Sequence, residues 1–419
     1  MRVIVIGAGL AGVSAAWYLR EGGHDVTVVE RREAAGLETS FANGGLVSPS
    51  QPDPWNAPGI VGKIFHYLGR EDSPFLLRPS AIPSMIGWGL RFLANSRPEA
   101  WKRNTLAGVV IGQYSLDLLR RLRADTGLEY PRGANGTIKI FRDRASLDAQ
   151  GELTRLLAPY GVRHTVFDRA ALLAHEPALA AIGEQLVGGV WFPDDEYGDA
   201  HLFTQALAAL AATRGVVFRW GESATAIDAA GGRFAALVTD KGRLAGDALV
   251  VAAAAWSPAL VKPLGLKLWI NPVKGYSATV PLAGWNAPPR TPVMDDGLKV
   301  AMAPFGGNLR IAGTAEFTGW NRELNERRAR NVLDTGIKVF PELAGQAERN
   351  GVRYWTALRP MSPDGSPFIG PTRVPGVFVN SGHGLMGWGY ACGSGRLLAD
   401  LVSGATPAID PAPYAPHRL

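Results

Sequence analysis

The chain has 419 residues, 47% hydrophobic and 19% charged, a core-rich globular composition long enough for two domains, consecutive or interleaved. Its 43 Lys and Arg against 37 Asp and Glu leave a net charge of +6 with no dense basic block, which argues against nucleic acid and favours an anionic substrate or an anionic membrane surface. The single cysteine, Cys392, excludes an intrachain disulfide and any multi-cysteine metal site.

Residues 1–30 read MRVIVIGAGLAGVSAAWYLREGGHDVTVVE. The β-branched run 3–6 predicts a buried parallel strand. Gly7, Ala8, Gly9, Leu10, Ala11 and Gly12 then match GxGxxG, and residues 10–20 turn helical, with Ala11, Ala15 and Leu19 along one side. Gly22 and Gly23 end that helix, residues 26–29 give a second strand, and Glu30 closes it 18 positions after Gly12. A GxGxxG between strand and helix, followed by an acid at that spacing, marks a dinucleotide-binding turn. Gly7 allows the tight turn, Gly9 the approach of a pyrophosphate, and Gly12 the close packing of helix and strand. The helix N-terminus offers amides and partial positive charge to phosphate, and Glu30 can accept hydrogen bonds from ribose hydroxyls. The uncharged run 3–19 covers 17 residues, short for a membrane span and broken by three glycines. It carries no clear small-residue cleavage site, so a signal peptide fits poorly.

Residues 31–59 predict loop, because Pro49, Pro52, Pro54, Pro58 and the Asn43-Gly44-Gly45 turn forbid long regular elements. Residues 60–95 crowd large apolar side chains, among them Phe65, Tyr67, Leu68, Phe75, Leu76, Leu77, Ile82, Ile86, Trp88, Leu90, Phe92 and Leu93, between Pro74, Pro79 and Pro83. Two readings stay open there. One is a helical cap on a core. The other is a surface that meets a membrane or another protein through Phe75, Leu76 and Leu77, with Lys63, Arg70, Arg78, Arg91 and Arg97 toward anionic head groups. Further helices are expected at 104–123, 145–157, 201–213, 323–340 and 384–403. Strands are expected at 137–141, 216–220, 234–239, 249–255, 273–280, 309–313 and 376–380, with a turn at 195–199. The alternation argues for an α/β fold. Its nucleotide-binding half is expected in three pieces, 1–59, 196–261 and 346–419, leaving 60–195 and 262–345 as a substrate-facing half.

A second anchor lies near the C-terminus. Ser381, Gly382, His383, Gly384, Leu385, Met386, Gly387 and Trp388 form a glycine-dense loop that opens a helix. Such a helix start stabilises an anion, as a reduced flavin ring requires. Arg359, between a strand-like stretch and two prolines, reads equally as a structural ion pair or as a fork for a carboxylate. Tyr276 either adds a hydroxyl to that carboxylate or packs in a strand core. His383 is either a structural hydrogen-bonder or a base. No HxxxH or HExxH pattern and no Gly-x-Ser-x-Gly elbow occurs, so neither a metal site nor a serine nucleophile is expected.

Taken together, GAGLAG at 7–12, ETSFANGG at 38–45, PWNAPG at 54–59, PVKGYS at 272–277, the Arg359 stretch and residues 381–395 resemble the D-amino-acid dehydrogenase small-subunit family, within the FAD-dependent amino-acid and amine oxidases. The resemblance covers nearly the whole chain. It implies a Rossmann-like FAD-binding domain interleaved with an α+β substrate domain, and FAD held without a covalent link. The implied reaction is oxidative deamination of D-amino acids to 2-oxo acids and ammonia, by hydride transfer from Cα to flavin N5. Gly7, Gly9, Leu10, Ala11, Gly12, Glu30 and Arg31 would hold the dinucleotide, and Ala224 would meet the adenine through its backbone. Ser40, Asn43, Gly44 and Gly45 would lie against the flavin ring, and Gly382, Gly384, Leu385, Met386 and Gly387 at its pyrimidine side. Arg359 would hold the substrate carboxylate, with Tyr276 and His383 beside it as candidate catalytic groups. The resemblance further implies a quinone or other respiratory acceptor, and a cytoplasmic protein in peripheral contact with the inner face of the bacterial inner membrane. Gly44-Gly45-Leu46 and Leu385-Met386 depart from the Ala-Gly-Gln and Thr-Leu usual in the family, which extends the implied substrates to cyclic imino acids such as D-proline. The alternatives are an oxygen-using oxidase of the sarcosine, glycine or D-proline type, and a non-catalytic flavoprotein.

Overall fold

The β-branched run Val3, Ile4, Val5 and Ile6 is buried on both faces, and it forms the strand Arg2–Ile6 in the middle of a six-stranded sheet. The structure, a computed structural model, describes residues 1–67, 70–71 and 73–419. Leu68 lies outside the described residues, and the side chains of Lys63, Phe65 and Tyr67 are likewise outside the description. In spatial order the sheet runs Val217–Trp220, Asp25–Glu30, Arg2–Ile6, Ala248–Val251, Val377–Ser381 and Phe368–Pro371. The first five pair in parallel and the last is antiparallel. The apolar strand expected around 249–255 is central, as its composition requires. One face is covered by the helices Leu10–Glu21, Ala200–Thr213 and Ala391–Ser403, whose apolar sides join Val3, Val5, Val26, Val28 and Val250 in one core. The other face packs on a three-stranded antiparallel sheet, Ala224–Asp228, Ala236–Thr239 and Gly242–Ala245.

The other large sheet has nine strands. At one edge Arg353–Met361 pairs with the long strand Asn271–Pro281, which pairs in turn with Asn308–Phe317. The helices Glu326–Ile337 and Leu343–Asn350 cover one face of these strands over Tyr276, Ala278, Val280 and Ile311. Residues 353–361, expected with the nucleotide-binding half, therefore pair with the other sheet.

Three further differences have local causes. The helix expected from 384 begins at Ala391, after a single 3-10 turn Gly384–Met386, because Gly382 (φ 82°) and Gly384 (φ 58°) are left-handed. The expected turn 195–199 contains the short strand Glu196–Gly198, which ties Leu46–Val47 to Arg132–Gly133. In the apolar stretch, Phe75–Leu77 is a strand paired with Ala315, Glu316 and Phe317, and Leu76 is 2% exposed. Leu76 is core, while Phe75 and Leu77 are half-buried against the cluster of Trp88, Phe92 and Phe317. The outward apolar residues instead lie on the helix Ile82–Ala94: Ile82, Ile86, Leu90 and Leu93 are exposed, Leu90 to 65%, while Trp88 and Phe92 face inward.

Candidate active site

Between the two sheets lies a cavity of about 490 Å³. Its first wall is the glycine turn after Arg2–Ile6. Gly7 has φ 102°, and a Cβ there would sit 2.8 Å from the Ala252 carbonyl oxygen. A Cβ on Gly12 would sit 1.9 Å from the Gly7 oxygen. Both glycines are required by the protein's own backbone. Gly9 is not: its φ is −78°, and the only atom near its missing Cβ is Ser40 Oγ at 3.4 Å. Gly9 therefore leaves bare backbone toward the cavity, the space a pyrophosphate needs. The helix Leu10–Glu21 begins there with no side-chain cap; the Leu10 amide donates to Ser40 Oγ at 3.2 Å, and the next amides have no intrahelical acceptor. These residues fit the phosphates of a dinucleotide.

Glu30 buttresses this turn. Its carboxylate accepts from the amides of Ala8 (2.7 Å) and Arg32 (2.9 Å). Arg31 is engaged elsewhere, with Glu38 at 2.6 Å and stacked 4.0 Å from the Trp256 ring. Ala224 starts the three-stranded sheet opposite Thr239. Glu30, Arg31 and Ala224 lie off the cavity wall, as do Gly7, Gly12 and Gly382, whereas Gly9, Leu10 and Ala11 line it.

The second wall is the loop carrying Ser40, Asn43, Gly44 and Gly45, all of which line the cavity. It is fixed to the nine-stranded sheet: Thr39 Oγ1 donates to the Leu358 oxygen, Ser277 Oγ to the Ala42 oxygen, and Arg310 Nη1 to the Asn43 oxygen, at 2.9, 2.7 and 3.1 Å. Asn43 Oδ1 accepts from the Gly45 amide at 3.0 Å, closing a turn in which Gly45 is left-handed.

The third wall is the turn after Val377–Ser381, with His383, Gly384, Leu385, Met386 and Gly387 along the cavity. Asn380 Nδ2 donates to the Ala11 oxygen at 3.1 Å, joining this turn to the glycine turn, while its Oδ1 is buried without a partner. Burial pushes the His383 imidazole down to about 4, so it is neutral at physiological pH. Ser394 Oγ donates to the Ala391 oxygen, so the Nε2–H tautomer is assigned to His383, donating to Ser394 at 3.0 Å. The nitrogen that holds the ring in place is not free to act as a base.

Arg359 differs from every group above. Its guanidinium lines the cavity, half-buried, and burial pushes it down to about 10, which leaves it charged at neutral pH. Among the described residues its only acceptor is the Thr314 carbonyl, 2.8 Å from Nη1, and it has no acidic partner. A desolvated, unpaired cation is costly unless an anion completes it. Tyr276 lines the same cavity, but its side chain is turned away from Arg359. Strand alternation puts Tyr276 on the face opposite Gly275 and Ser277, within the core under Glu326–Ile337, and its hydroxyl donates to Glu316 at 2.6 Å.

Sequence reasoning assigned no role to Thr314. Tyr276 pairs with Gly313 but Lys274 pairs with Glu316, so Thr314 is the extra residue of a β-bulge, and its φ is 57°. A β-branched residue in that conformation costs on the order of 1–3 kcal/mol, which places strain beside the cation. No sequence signal marks it. At another part of the wall Asp296 meets two lysines. Burial alone would raise its carboxyl, but Lys139 at 3.2 Å and Lys299 at 3.1 Å outweigh it and hold it at about 2. Among the described residues no group of three or more His, Cys, Asp or Glu is placed to hold a metal.

A family model described as FAD dependent oxidoreductase matches residues 2–401. The D-amino acid dehydrogenase of Methylobacterium radiotolerans is 47% identical over 410 residues, 98% of this chain and 97% of that protein. Two solved structures share the fold: glycine oxidase from Geobacillus kaustophilus (TM-score 0.76, 23% identity, 100% of this chain and 99% of that one) and L-proline dehydrogenase from P. horikoshii (TM-score 0.79, 18% identity, 100% and 97%).

Two predictions follow from the site's geometry. Gly9→Val should leave a folded protein with most of its flavin absorbance lost, while Gly12→Ala should fail to accumulate in soluble form. Equal flavin content in purified Gly9→Val and unmodified protein would contradict the placement. Because the folded-state pKa of His383 lies below its ordinary 6.5, the unfolded chain takes up its proton first as pH falls. Stability should drop by up to about 3 kcal/mol between pH 6.5 and 4 from this residue alone. Urea titrations at pH 7 and 4.5 should show a shallower loss in His383→Asn than in the unmodified chain; equal losses would remove His383 from that slope.

Proposed function

We propose a function on one premise: this chain belongs to the DAO family of FAD-dependent oxidoreductases and is itself one. It oxidises a D-amino acid at the Cα–N bond, giving an imino acid that water hydrolyses to a 2-oxo acid and ammonia. The observation that carries this reading is Arg359, a charged guanidinium on the cavity wall with no acidic partner among the described residues. The name of the 47% identical relative supports the D-amino acid as substrate class.

In this reading, bound FAD supplies the two-electron acceptor for the Cα hydride. Gly9, Leu10 and Ala11 would hold its dinucleotide part, without a covalent link, on the turn that Glu30 braces from behind. Ser40, Asn43, Gly44 and Gly45 hold one side of the ring, and 384–387 the other. Arg359 takes the substrate carboxylate through two N–H groups, which fixes Cα and lets orientation supply much of the rate. The amine must be neutral before hydride can leave. Pro54, Trp55, Ile60 and Phe75 make the nearby wall apolar, which lowers an amine pKa. His383 and Tyr276, both already hydrogen-bonded, leave the amine's proton to solvent.

The acceptor in this reading is a quinone at a membrane surface. Ile82, Ile86, Leu90 and Leu93 recur at helical spacing on an exposed face, as an interfacial helix requires. No helix among the described residues is long and apolar enough to cross a membrane. Of the basic residues expected to assist, Arg78 is held by Glu71 and Glu316, and Arg91 stacks 3.6 Å from the Trp269 ring centre. The apolar stripe bears the contact, with Arg97 exposed just beyond the helix beside it.

Arg359→Ala should raise KM for D-amino acids on the order of 100-fold with flavin content intact, and Arg359→Lys should recover only part of it. An equal loss toward carboxylate-free amines would sink the carboxylate role. Ile86→Ser/Leu90→Ser should weaken binding to anionic liposomes while dye-linked turnover and melting temperature hold. A soluble quinone analogue should reoxidise the reduced enzyme far faster than air-saturated buffer does. Rapid peroxide formation would instead favour the oxygen-using alternative, and absence of liposome binding by the unmodified chain would remove the membrane surface.

A further inference from the structure

Arg359, Gly275 and Thr314 stand on three successive strands. Arg353–Met361 is the edge, Asn271–Pro281 is the middle strand, and Asn308–Phe317 lies beyond it. Neighbouring strands are about 4.8 Å apart, so a side chain from the first that reaches the third must lie flat over the second. The Arg359 side chain does this: its Nη1 donates to the Thr314 carbonyl on the third strand at 2.8 Å.

The crossing point is Gly275. A Cβ built there would sit 2.2 Å from the guanidinium carbon and 2.4 Å from both Nη1 and Nη2 of Arg359. No other residue type leaves that space. Unlike Gly45 or Gly384, Gly275 has no left-handed φ, so its backbone would accept any side chain. The glycine is required by the arginine that lies on it. Thr314 completes the arrangement from the far side. The bulge inserts one residue opposite Gly275, and the left-handed turn at Thr314 goes with a carbonyl directed at Nη1. One edge of the guanidinium is thereby held, and the remaining N–H groups are left to the cavity.

We propose that Gly275 is a positioning residue: it forms the groove in which the Arg359 guanidinium lies against the Thr314 carbonyl, and so sets where a carboxylate ligand binds. This rests on the carboxylate reading of Arg359 given above. Gly275 touches neither substrate nor cofactor in the proposal; it acts through the arginine alone.

A double-mutant cycle tests it on the flavin-loaded enzyme, reading KM and kcat for a D-amino acid and, by flavin spectral perturbation, the Kd of its 2-oxo acid product. Gly275→Ala should raise KM and Kd at least tenfold with kcat changed less than threefold and flavin content unchanged. In an Arg359→Ala background the same substitution should change KM and Kd less than twofold, because the group it displaces is gone. A full tenfold penalty on top of Arg359→Ala would overturn the groove while leaving the carboxylate reading standing. Unaltered KM and Kd in Arg359→Ala alone would overturn the carboxylate reading itself. Gly275→Ala with unmodified KM and Kd would overturn the groove directly. If Gly275→Ala does not fold, Gly275→Ala/Arg359→Ala should fold and bind flavin; failure of that double variant too would show that the glycine serves the sheet and not the arginine.

Discussion

Arg359, a cation with no counter-charge among the described residues, faces the inside of this protein, and much of the surrounding architecture can be read as what that requires. Removing a guanidinium from water costs several kcal/mol unless it is paired. Arg359 recovers part of this through one carbonyl, and the rest is left open to a ligand. A flexible cation would find a carboxylate elsewhere, so it must be confined. The middle strand lacks a side chain at Gly275, and the third strand bulges at Thr314. Both are local departures from a regular sheet. They are tolerated because the opposite face of the same strands is packed by Tyr276, Ala278, Val280 and the helices over them.

The electrostatics of the cavity are divided in space. The glycine turn and the start of the helix Leu10–Glu21 present amides, a fixed partial positive charge suited to phosphate. Arg359 presents a full charge suited to a carboxylate. The two are kept in register by hydrogen bonds from the nine-stranded sheet to the loop between them, those of Thr39, Ser277 and Arg310. Asp296 belongs to neither. With two lysines around one ionised carboxylate, the cluster adds a net positive charge at its own part of the wall.

The fold was legible wherever one period dominates the sequence. The run at 3–6 is β-branched and the run expected at 249–255 is wholly apolar, and they became the buried parallel strands Arg2–Ile6 and Ala248–Val251; Thr137–Phe141 matched its expected bounds. Legibility ended where a residue's role depends on its neighbours in space. Tyr276 and Gly275 are adjacent in sequence, but alternation sends one into the core and the other under Arg359. Arg31 and Ala224, carried over from the resemblance, lie away from the cavity wall. Thr314 was invisible because a bulge is a property of two strands, and only one of them is written at that point in the chain.

The helix Ile82–Ala94 shows why such a segment resists reading from composition alone. It is apolar on two sides for two reasons. Inward, Trp88 donates through Nε1 to the Met361 carbonyl at 2.9 Å and stacks on Phe92 at 5.1 Å. Met361 stands two residues beyond Arg359 on the same strand, so this face of the helix anchors the strand that carries the cation. Outward, Ile82, Ile86 and Leu90 contribute nothing to that anchoring and remain in contact with solvent. Burial explains the first set fully. For the second set the fold supplies no partner, and a row of large apolar side chains held in water is unfavourable by their unburied area. Because the inner face is fixed by packing and a hydrogen bond, the outer face can meet an apolar surface without disturbing Arg359. The same short helix therefore braces the strand Arg353–Met361 with one face and keeps the other apolar and exposed.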